Sequence, residues 1–210
     1  MFRNYIKIAS RNLWKNKLIS VINILSLAIG ISAVAVIYLS VQHELSFDKH
    51  ALHKERVFRV VWSDIEDRDF NIPGVESPLI EIVEDEITGI EKVIPLFEWY
   101  DFEVHILNKE GNENTFYKEE GVVLTNSDYF SIYPHHWLSG NPESLNTPNK
   151  IVLSERDLKL FFPGSDAEEV LGKTIIYEDE ISFEVRGVVE EMAENSDFKF
   201  TSFISFNSIP

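Results

Sequence analysis

The chain of 210 residues contains no cysteine, so no disulfide framework stabilises any part of it. It also lacks charge over one long stretch, because residues 18–43 include no Asp, Glu, Lys or Arg. As a helix, this stretch would extend about 39 Å at roughly 1.5 Å per residue, and the hydrocarbon core of a bilayer is about 30 Å thick. The sequence therefore predicts one transmembrane helix over residues 18–43, followed by a soluble domain.

The first 43 positions contain no acidic residue. Their charged side chains are all basic: Arg3, Lys7, Arg11, Lys15 and Lys17. The remaining 167 residues hold 14 basic and 35 acidic side chains, a formal charge of −21. Positive flanks stay in the cytoplasm, so we expect a cytoplasmic N-terminus and an extracytoplasmic acidic domain at the cell inner (cytoplasmic) membrane. The same negative charge argues against nucleic acid as a partner.

A cleaved signal peptide is the first alternative to a membrane span. Residues 33–35 read Ala-Val-Ala, which fits the small-residue cleavage pattern, but the apolar run continues beyond them to Val41. The basic lead of 17 residues is also long for a signal. The sequence therefore favours a retained span.

Residues 1–17 are predicted to form a cytoplasmic basic amphipathic segment. Four basic residues recur every fourth position, while Phe2, Ile6, Ala9 and Leu13 recur at helical spacing on another face. A basic amphipathic helix next to a span is typical of an element lying on the membrane surface. The alternative is a positively charged flank that is helical but does not bind the membrane surface.

The predicted span carries a stripe of small and polar residues at helical spacing: Asn23, Ser26, Gly30 and Ala33. Small residues let helix backbones approach closely, and a buried amide can form a hydrogen bond across the interface. Gly and Ser are common in any membrane helix, but an amide in hydrocarbon is costly without a partner. We therefore predict that this face packs against other transmembrane helices.

The outer part is predicted to be an α+β domain over residues 57–210, joined to the span by a polar connector over residues 44–56. A strand over Val57–Ser63, a helix beginning at Ser77-Pro78 and ending at Gly89, and a strand over Lys92–Trp99 suggest a βαβ lobe. An acidic loop over residues 64–69 separates the first strand from the helix.

A β-rich insertion is predicted to follow this lobe. Its expected elements are a hairpin of Glu103–Leu107 with Thr115–Lys118, a strand at Val122–Leu124, a helical turn within Asn126–Tyr133, a strand at Lys150–Leu153, a helix capped by Ser154 and ended by Pro163-Gly164, and a second hairpin of Lys173–Tyr177 with Ile181–Val189. Alternating residues from Phe198 to Phe206 indicate a last strand. With nothing after it to complete a layer, we expect the domain to be truncated at its C-terminal end.

Catalytic and cofactor motifs are absent or broken. Gly172-Lys173-Thr174 resembles the end of a phosphate-binding loop, but Ala167 occupies the position of the required first glycine. His43-Glu44 begins a zinc-protease motif in which Phe47 replaces the second histidine. No serine has the spacing of a nucleophile elbow. The sequence therefore predicts no enzyme activity, no metal site and no cofactor on this chain.

Taken together, these segments resemble the FtsX-like ABC-transporter permease family with a MacB-like periplasmic core domain. Residues 4–33 are similar to that family's first membrane helix and its basic lead, and residues 44–60 are similar to its connector, which carries an E-x-S-[YF]-D core. Further resemblance lies in residues 77–97, 126–162, 171–175 and 183–200. Ser26 stands where a glycine is usual, and Ala193 where a proline is often found.

The resemblance implies a non-catalytic permease subunit that couples ATP hydrolysis on a cytoplasmic ABC ATP-binding subunit to movement of the outer domain. Other permease transmembrane helices, in a dimer, and membrane lipid would be its partners. Such movement exports a substrate or activates an envelope enzyme. In this interpretation the connector must be stiff, with Glu44, Phe47, Asp48, Arg56 and Arg59 holding it to its neighbours.

Two other classes of function remain open. One is a single-span anchored sensor or ligand-binding domain, and the other is an anchored envelope enzyme. A solitary anchor has no use for Asn23, which favours the permease. Further membrane spans in a complete gene would support the permease, whereas a kinase domain or a stop codon would favour the alternatives.

Overall fold

The computed structural model describes residues 2–47, 52–63, 71–72, 74–75, 78–107, 113–118, 120–178, 181–192, 196 and 198–208. The chain separates into two compact units, residues 1–47 and residues 48–210.

The first unit consists of two helices, α1 (Phe2–Lys15) and α2 (Lys17–Glu44). They are separated by Asn16, whose φ of −110° and ψ of 52° depart from helical geometry. The Ser20 hydroxyl donates a hydrogen bond of 3.1 Å to the Leu13 carbonyl across this break. Helix α2 includes the predicted span 18–43, has the length and composition to cross a membrane, and buries none of its residues within the chain.

The second unit is built on a nine-stranded sheet with the order β3-β6-β11-β8-β10-β9-β4-β5, in which β7 also pairs with β10. Its strands are β3 (Phe97–Trp99), β4 (Phe102–Leu107), β5 (Glu113–Lys118), β6 (Val122–Thr125), β7 (Trp137–Gly140), β8 (Lys150–Ser154), β9 (Thr174–Tyr177), β10 (Ile181–Val189) and β11 (Ser202–Ser205). Helices α3 (Pro78–Glu86), α4 (Tyr129–Ile132) and α5 (Glu155–Phe161) connect them. Strands β8 and β10 are parallel, as are β6 and β11.

Both faces of the sheet are covered, which explains why β6 and β8 each carry three consecutive apolar residues rather than an alternation. On β8, Ile151 and Leu153 belong to a cluster with Phe161 of α5, whereas Val152 between them belongs to a cluster with Tyr129 of α4. All four residues of β11 are buried for the same reason. The sheet is therefore the middle layer of the domain.

Helix α5 is fixed to the sheet by polar contacts at its first turn. The Ser154 hydroxyl accepts a hydrogen bond of 3.3 Å from the Asp157 amide, so the predicted cap is present. The Ser202 hydroxyl of β11 donates a 2.5 Å hydrogen bond to the buried Asp157 carboxylate.

Burial, with a further contribution from the Asp157 charge, raises the pKa of the Tyr177 hydroxyl.

The predicted α+β class is confirmed, and so are both hairpins, the turn at α4, and the strand and helix around Ser154. The last predicted strand is present only as β11. Phe198 and Phe200 precede it and pack in the aromatic cluster on the α4 face.

The predicted βαβ lobe is wrong in its pairing. Of Val57–Ser63, only β1 (Trp62–Ser63) is a strand, and it pairs antiparallel with β2 (Asn71–Ile72) rather than beside β3. Residues 57–61 lie exposed and pair with no strand in the described part of the chain. The predicted strand Lys92–Trp99 is observed only as β3 (Phe97–Trp99). Pro95 interrupts it, because proline has no amide hydrogen to donate and restricts the backbone of the residue before it. The predicted acidic loop 64–69 lies outside the described residues.

Candidate functional site

The predicted packing face lies on α2, where Asn23, Ser26, Gly30 and Ala33 are all exposed. A side chain added at Gly30 would meet no atom of this chain within 4 Å. Gly30 and Ser26 border a shallow depression on the helix surface that also includes Val34 and Tyr38. The helix therefore offers a concave, unobstructed position at Gly30 that another helix could fill.

Replacing Gly30 by leucine should impair assembly of the full-length protein with its membrane partners far more than replacing Ile29 by leucine. A leucine at position 30 clashes with nothing in its own chain, so any defect must come from a neighbouring helix held away. The Ile29 change is nearly volume-neutral. Co-purification of tagged full-length protein at matched expression measures the effect, and equal recovery of both variants would refute the packing face.

The connector begins by folding back on the end of α2. Glu44 is the last helical residue, and the Ser46 hydroxyl donates a 2.6 Å hydrogen bond to the carbonyl of His43. The Phe47 ring lies edge-on to the His43 ring, with centroids 5.2 Å apart. These local contacts satisfy a carbonyl at the helix end and limit the freedom of the first connector residues. Asp48, the next predicted connector residue, lies outside the described residues.

The far end of the connector is bonded to the outer domain. The Leu52 amide donates a 2.8 Å hydrogen bond to the carbonyl of Ile132, the last residue of α4. A 3-10 turn over Lys54–Arg56 follows, and the Arg56 guanidinium lies 2.9 Å from the Glu91 carboxylate. Arg59 lies exposed just beyond this turn.

Helix α4 is held in turn by the loop before β3. The Lys92 ammonium lies 2.5 Å from the Asp128 carboxylate and 3.3 Å from the Ser131 hydroxyl. The Asn126 side-chain amide donates to the Val93 carbonyl at 3.2 Å, and its oxygen accepts from the Asp128 amide at 3.1 Å. We use the name α4 anchor for six of the residues that make these inter-segment contacts: Leu52, Arg56, Glu91, Lys92, Asp128 and Ile132.

The inner side of α4 is buried in aromatic packing. Tyr129 is 0% exposed and Phe130 is 6% exposed. The Phe130 ring lies 5.1 Å from Phe203 of β11 and 4.9 Å from Trp137 of β7. The exposed ion pairs contribute about 0–1 kcal/mol each, so α4 is held mainly by this packing. The connector is therefore bonded to a helix whose inner side is packed firmly against the sheet.

The sequence predicted only part of this arrangement. It marked Arg56, but not Glu91 as its partner, and it did not mark Leu52, Lys92, Asp128 or Ile132. The run Asn126-Ser127-Asp128 before Tyr129 and Phe130 is a local signal of a turn leading into a buried helix, and could have drawn attention to α4. The long-range partners carry no such local signal.

The architecture defines a class, a mixed α+β domain that follows an apolar helix long enough to span a membrane. The sequence model of the MacB-like periplasmic core domain matches residues 20–209. The chain belongs to this family of permease periplasmic domains, so the resemblance seen in the sequence is confirmed. No curated protein matches the chain.

Two solved structures are similar to the chain at low identity. A domain assigned to a permease protein from Porphyromonas gingivalis is 14% identical over 63% of this chain, with a TM-score of 0.48. The periplasmic region of MacB from Actinobacillus actinomycetemcomitans is 16% identical over 78% of this chain, with a TM-score of 0.46. The matches cover 53% and 64% of those two chains, respectively.

Proposed function

We propose that this chain is part of a permease subunit of an ABC transporter and that it transmits motion without catalysing a reaction. ATP hydrolysis takes place on a partner subunit in the cytoplasm. The resulting movement passes through α2 and the connector to the outer domain. There it drives export of a substrate or activates an envelope enzyme.

The observation that carries this proposal is the attachment of the connector at both of its ends. Its first residues bond to the last turn of α2, and its later residues, Leu52 and Arg56, bond to Ile132 and Glu91 of the outer domain. A simple tether needs neither set of contacts. The test is the ATP-dependent output of the complete complex after the connector has been lengthened, compared with its rate of ATP hydrolysis.

The other proposed partners follow from the surface of α2. All described side chains of this helix are exposed or half-exposed within the chain, and most are apolar. Such a surface is stable against lipid and against other transmembrane helices but not in water. We therefore assign α2 to the inner membrane, next to further permease helices of a dimer.

The proposed orientation places α1 in the cytoplasm and the second unit outside. Because the native chain has no cysteine, single cysteines introduced at Ser10 and Ser127 can be labelled one at a time. In intact cells an impermeant thiol reagent should label the Ser127 variant and leave the Ser10 variant unlabelled until the membrane is permeabilised. Labelling of the Ser10 variant in intact cells, or protection of the Ser127 variant there, would show that the proposed orientation is wrong.

Purified chain should show no saturable binding or hydrolysis of ATP. Gly172 has a φ of 81° in a turn that leads into β9, whereas a phosphate-binding loop must open a helix. The Lys173 ammonium lies 4.8 Å from the centre of the Phe162 ring. Calorimetric titration with Mg-ATP checks this, and micromolar binding that disappears in Lys173→Ala would overturn it.

A further inference from the structure

Helix α1 has two different faces, and neither is covered by the described chain. On one side, Ile6, Ala9 and Leu13 recur at steps of three and four residues, and Ile6 and Leu13 are 62% and 50% exposed. On the other side, Lys7, Arg11 and Lys15 recur at steps of four and are also exposed. An isolated helix with this surface is stabilised by contact with something apolar on one face and anionic on the other.

The charge on α1 has no compensation in its own unit. The first acidic residue of the chain is Glu44, at the far end of α2. About 40 Å of helix, at roughly 1.5 Å per residue, separates Glu44 from Lys17. This distance exceeds the Debye length of about 8 Å at physiological ionic strength, so Glu44 cannot neutralise the basic face.

Only Asn16 separates α1 from α2, and the Ser20–Leu13 hydrogen bond closes the break. If α2 spans a membrane, the C-terminal end of α1 therefore lies at the level of the lipid headgroups. Trp14 next to this break is 75% exposed, and the Lys17 ammonium lies 5.5 Å from its ring centre. This pair suits the membrane–water interface, because the indole ring can contact apolar lipid while the ammonium group stays hydrated.

We propose that α1 is a binding surface for anionic phospholipid. Ile6, Ala9 and Leu13 enter the acyl boundary, and the stems of Lys7, Arg11 and Lys15 reach back along the helix to place their charges at the lipid phosphates. This proposal rests on the membrane-spanning role of α2. Each basic side chain contributes about fivefold to the binding equilibrium at an anionic surface, so the three together contribute roughly 100-fold.

The test uses the 210-residue chain in nanodiscs with an environment-sensitive fluorophore on single introduced cysteines. Ala9→Cys reports the apolar face, Asn4→Cys the opposite face, and Val34→Cys the middle of α2. Brominated lipids quench a probe that lies in the acyl region. Discs of pure phosphatidylcholine are compared with discs containing phosphatidylglycerol.

The expected result is quenching at Ala9 that is strong with phosphatidylglycerol and weak without it, and little quenching at Asn4 in either lipid. Replacing Lys7, Arg11 and Lys15 together by Gln should abolish the dependence on lipid charge. The matched control replaces three exposed basic residues of the outer domain, Arg156, Lys159 and Lys199, by Gln and should leave it unchanged.

Two outcomes overturn the inference while leaving the span intact. One is equal quenching at Ala9 in both lipids with the Val34 probe buried in lipid, which would mean that apolar contact alone holds α1. The other is no quenching at Ala9 in either lipid, which would place α1 in water or on a protein partner. An unquenched Val34 probe would instead refute the span itself, and with it both the proposed function and this inference.

Discussion

Replacing Gly140 by alanine should destabilise the outer domain by roughly 2–5 kcal/mol, a large share of the 5–15 kcal/mol of a typical domain. Gly140 has a φ of 79°, a conformation that costs an L-residue about 1–2 kcal/mol. An added Cβ would also lie 2.2 Å from the Arg186 carbonyl oxygen and 2.6 Å from the Gly187 Cα. Because both obstacles are backbone atoms, the pairing of β7 with β10 must shift, which costs about 1–3 kcal/mol more.

A matched variant separates the two contributions. Gly164 has nearly the same φ, 77°, but an added Cβ there would meet nothing within 4 Å. Gly164→Ala should therefore cost only the conformational 1–2 kcal/mol. Urea unfolding of the full chain in detergent, followed by tryptophan fluorescence, gives both values. Equal costs for the two variants would show that the close approach of β7 to β10 is not important for stability.

This strand pair matters for the proposed transmission because β7 follows α4 directly. Trp137 of β7 packs against Phe130 of α4, and the Glu190 amide after β10 donates a 2.8 Å hydrogen bond to the His136 carbonyl. Gly187 leaves room for the Trp137 ring, since a Cβ at that position would lie 2.6 Å from it. Loosening β7 should therefore weaken the seating of the α4 anchor.

Inserting a flexible Gly-Ser segment after Lys49 should lower the output of the complete complex at least tenfold and leave ATP hydrolysis by the partner subunit in place. Lengthening a loop is thermodynamically mild, roughly 0.6 kcal/mol per doubling, so the outer domain should stay folded. The α4 anchor would also remain intact, because its contacts begin at Leu52. What is lost is the short covalent link between that anchor and α2.

The same segment inserted after Gly111, at a position between β4 and β5 in the sequence, is the control. Strand β5 lies at the end of the sheet order, several strands away from β6 and β11, so this insertion should not affect output. Output per ATP hydrolysed is compared at matched expression. If the Lys49 insertion is as active as this control, the connector is only a tether, as a single-span sensor or anchored enzyme would require.

Local signals in the sequence were enough to predict much of the fold. The uncharged run of α2, the turn-rich segment between β4 and β5, and Ser154 before α5 each specify their element through nearby residues. The prediction of a βαβ lobe was wrong because the apolar pattern of residues 57–61 indicates a strand but does not indicate which strand it would pair with. β-Pairing depends on packing that lies far away along the chain.

The candidate site was less predictable for the same reason. The bond between Leu52 and Ile132 joins residues 80 positions apart, and the Arg56–Glu91 pair joins residues 35 positions apart. Gly140 and Gly187 show their importance only once β7 and β10 lie side by side. The packing face of α2 stays a prediction, because no residue in the described part of the chain packs against it.

Hydrogen–deuterium exchange across the ATP cycle tests the transmission account most directly. The complete complex is prepared with an ATPase subunit that binds ATP but cannot hydrolyse it, and peptides covering residues 52–63 and 120–133 are followed with and without ATP. We predict at least a twofold change in exchange rate at the connector and α4 on ATP binding, and no such change in the Lys49 insertion variant. Identical exchange in both states, with ATP occupancy verified, would contradict the claim that this chain carries motion from the cytoplasm to its outer domain.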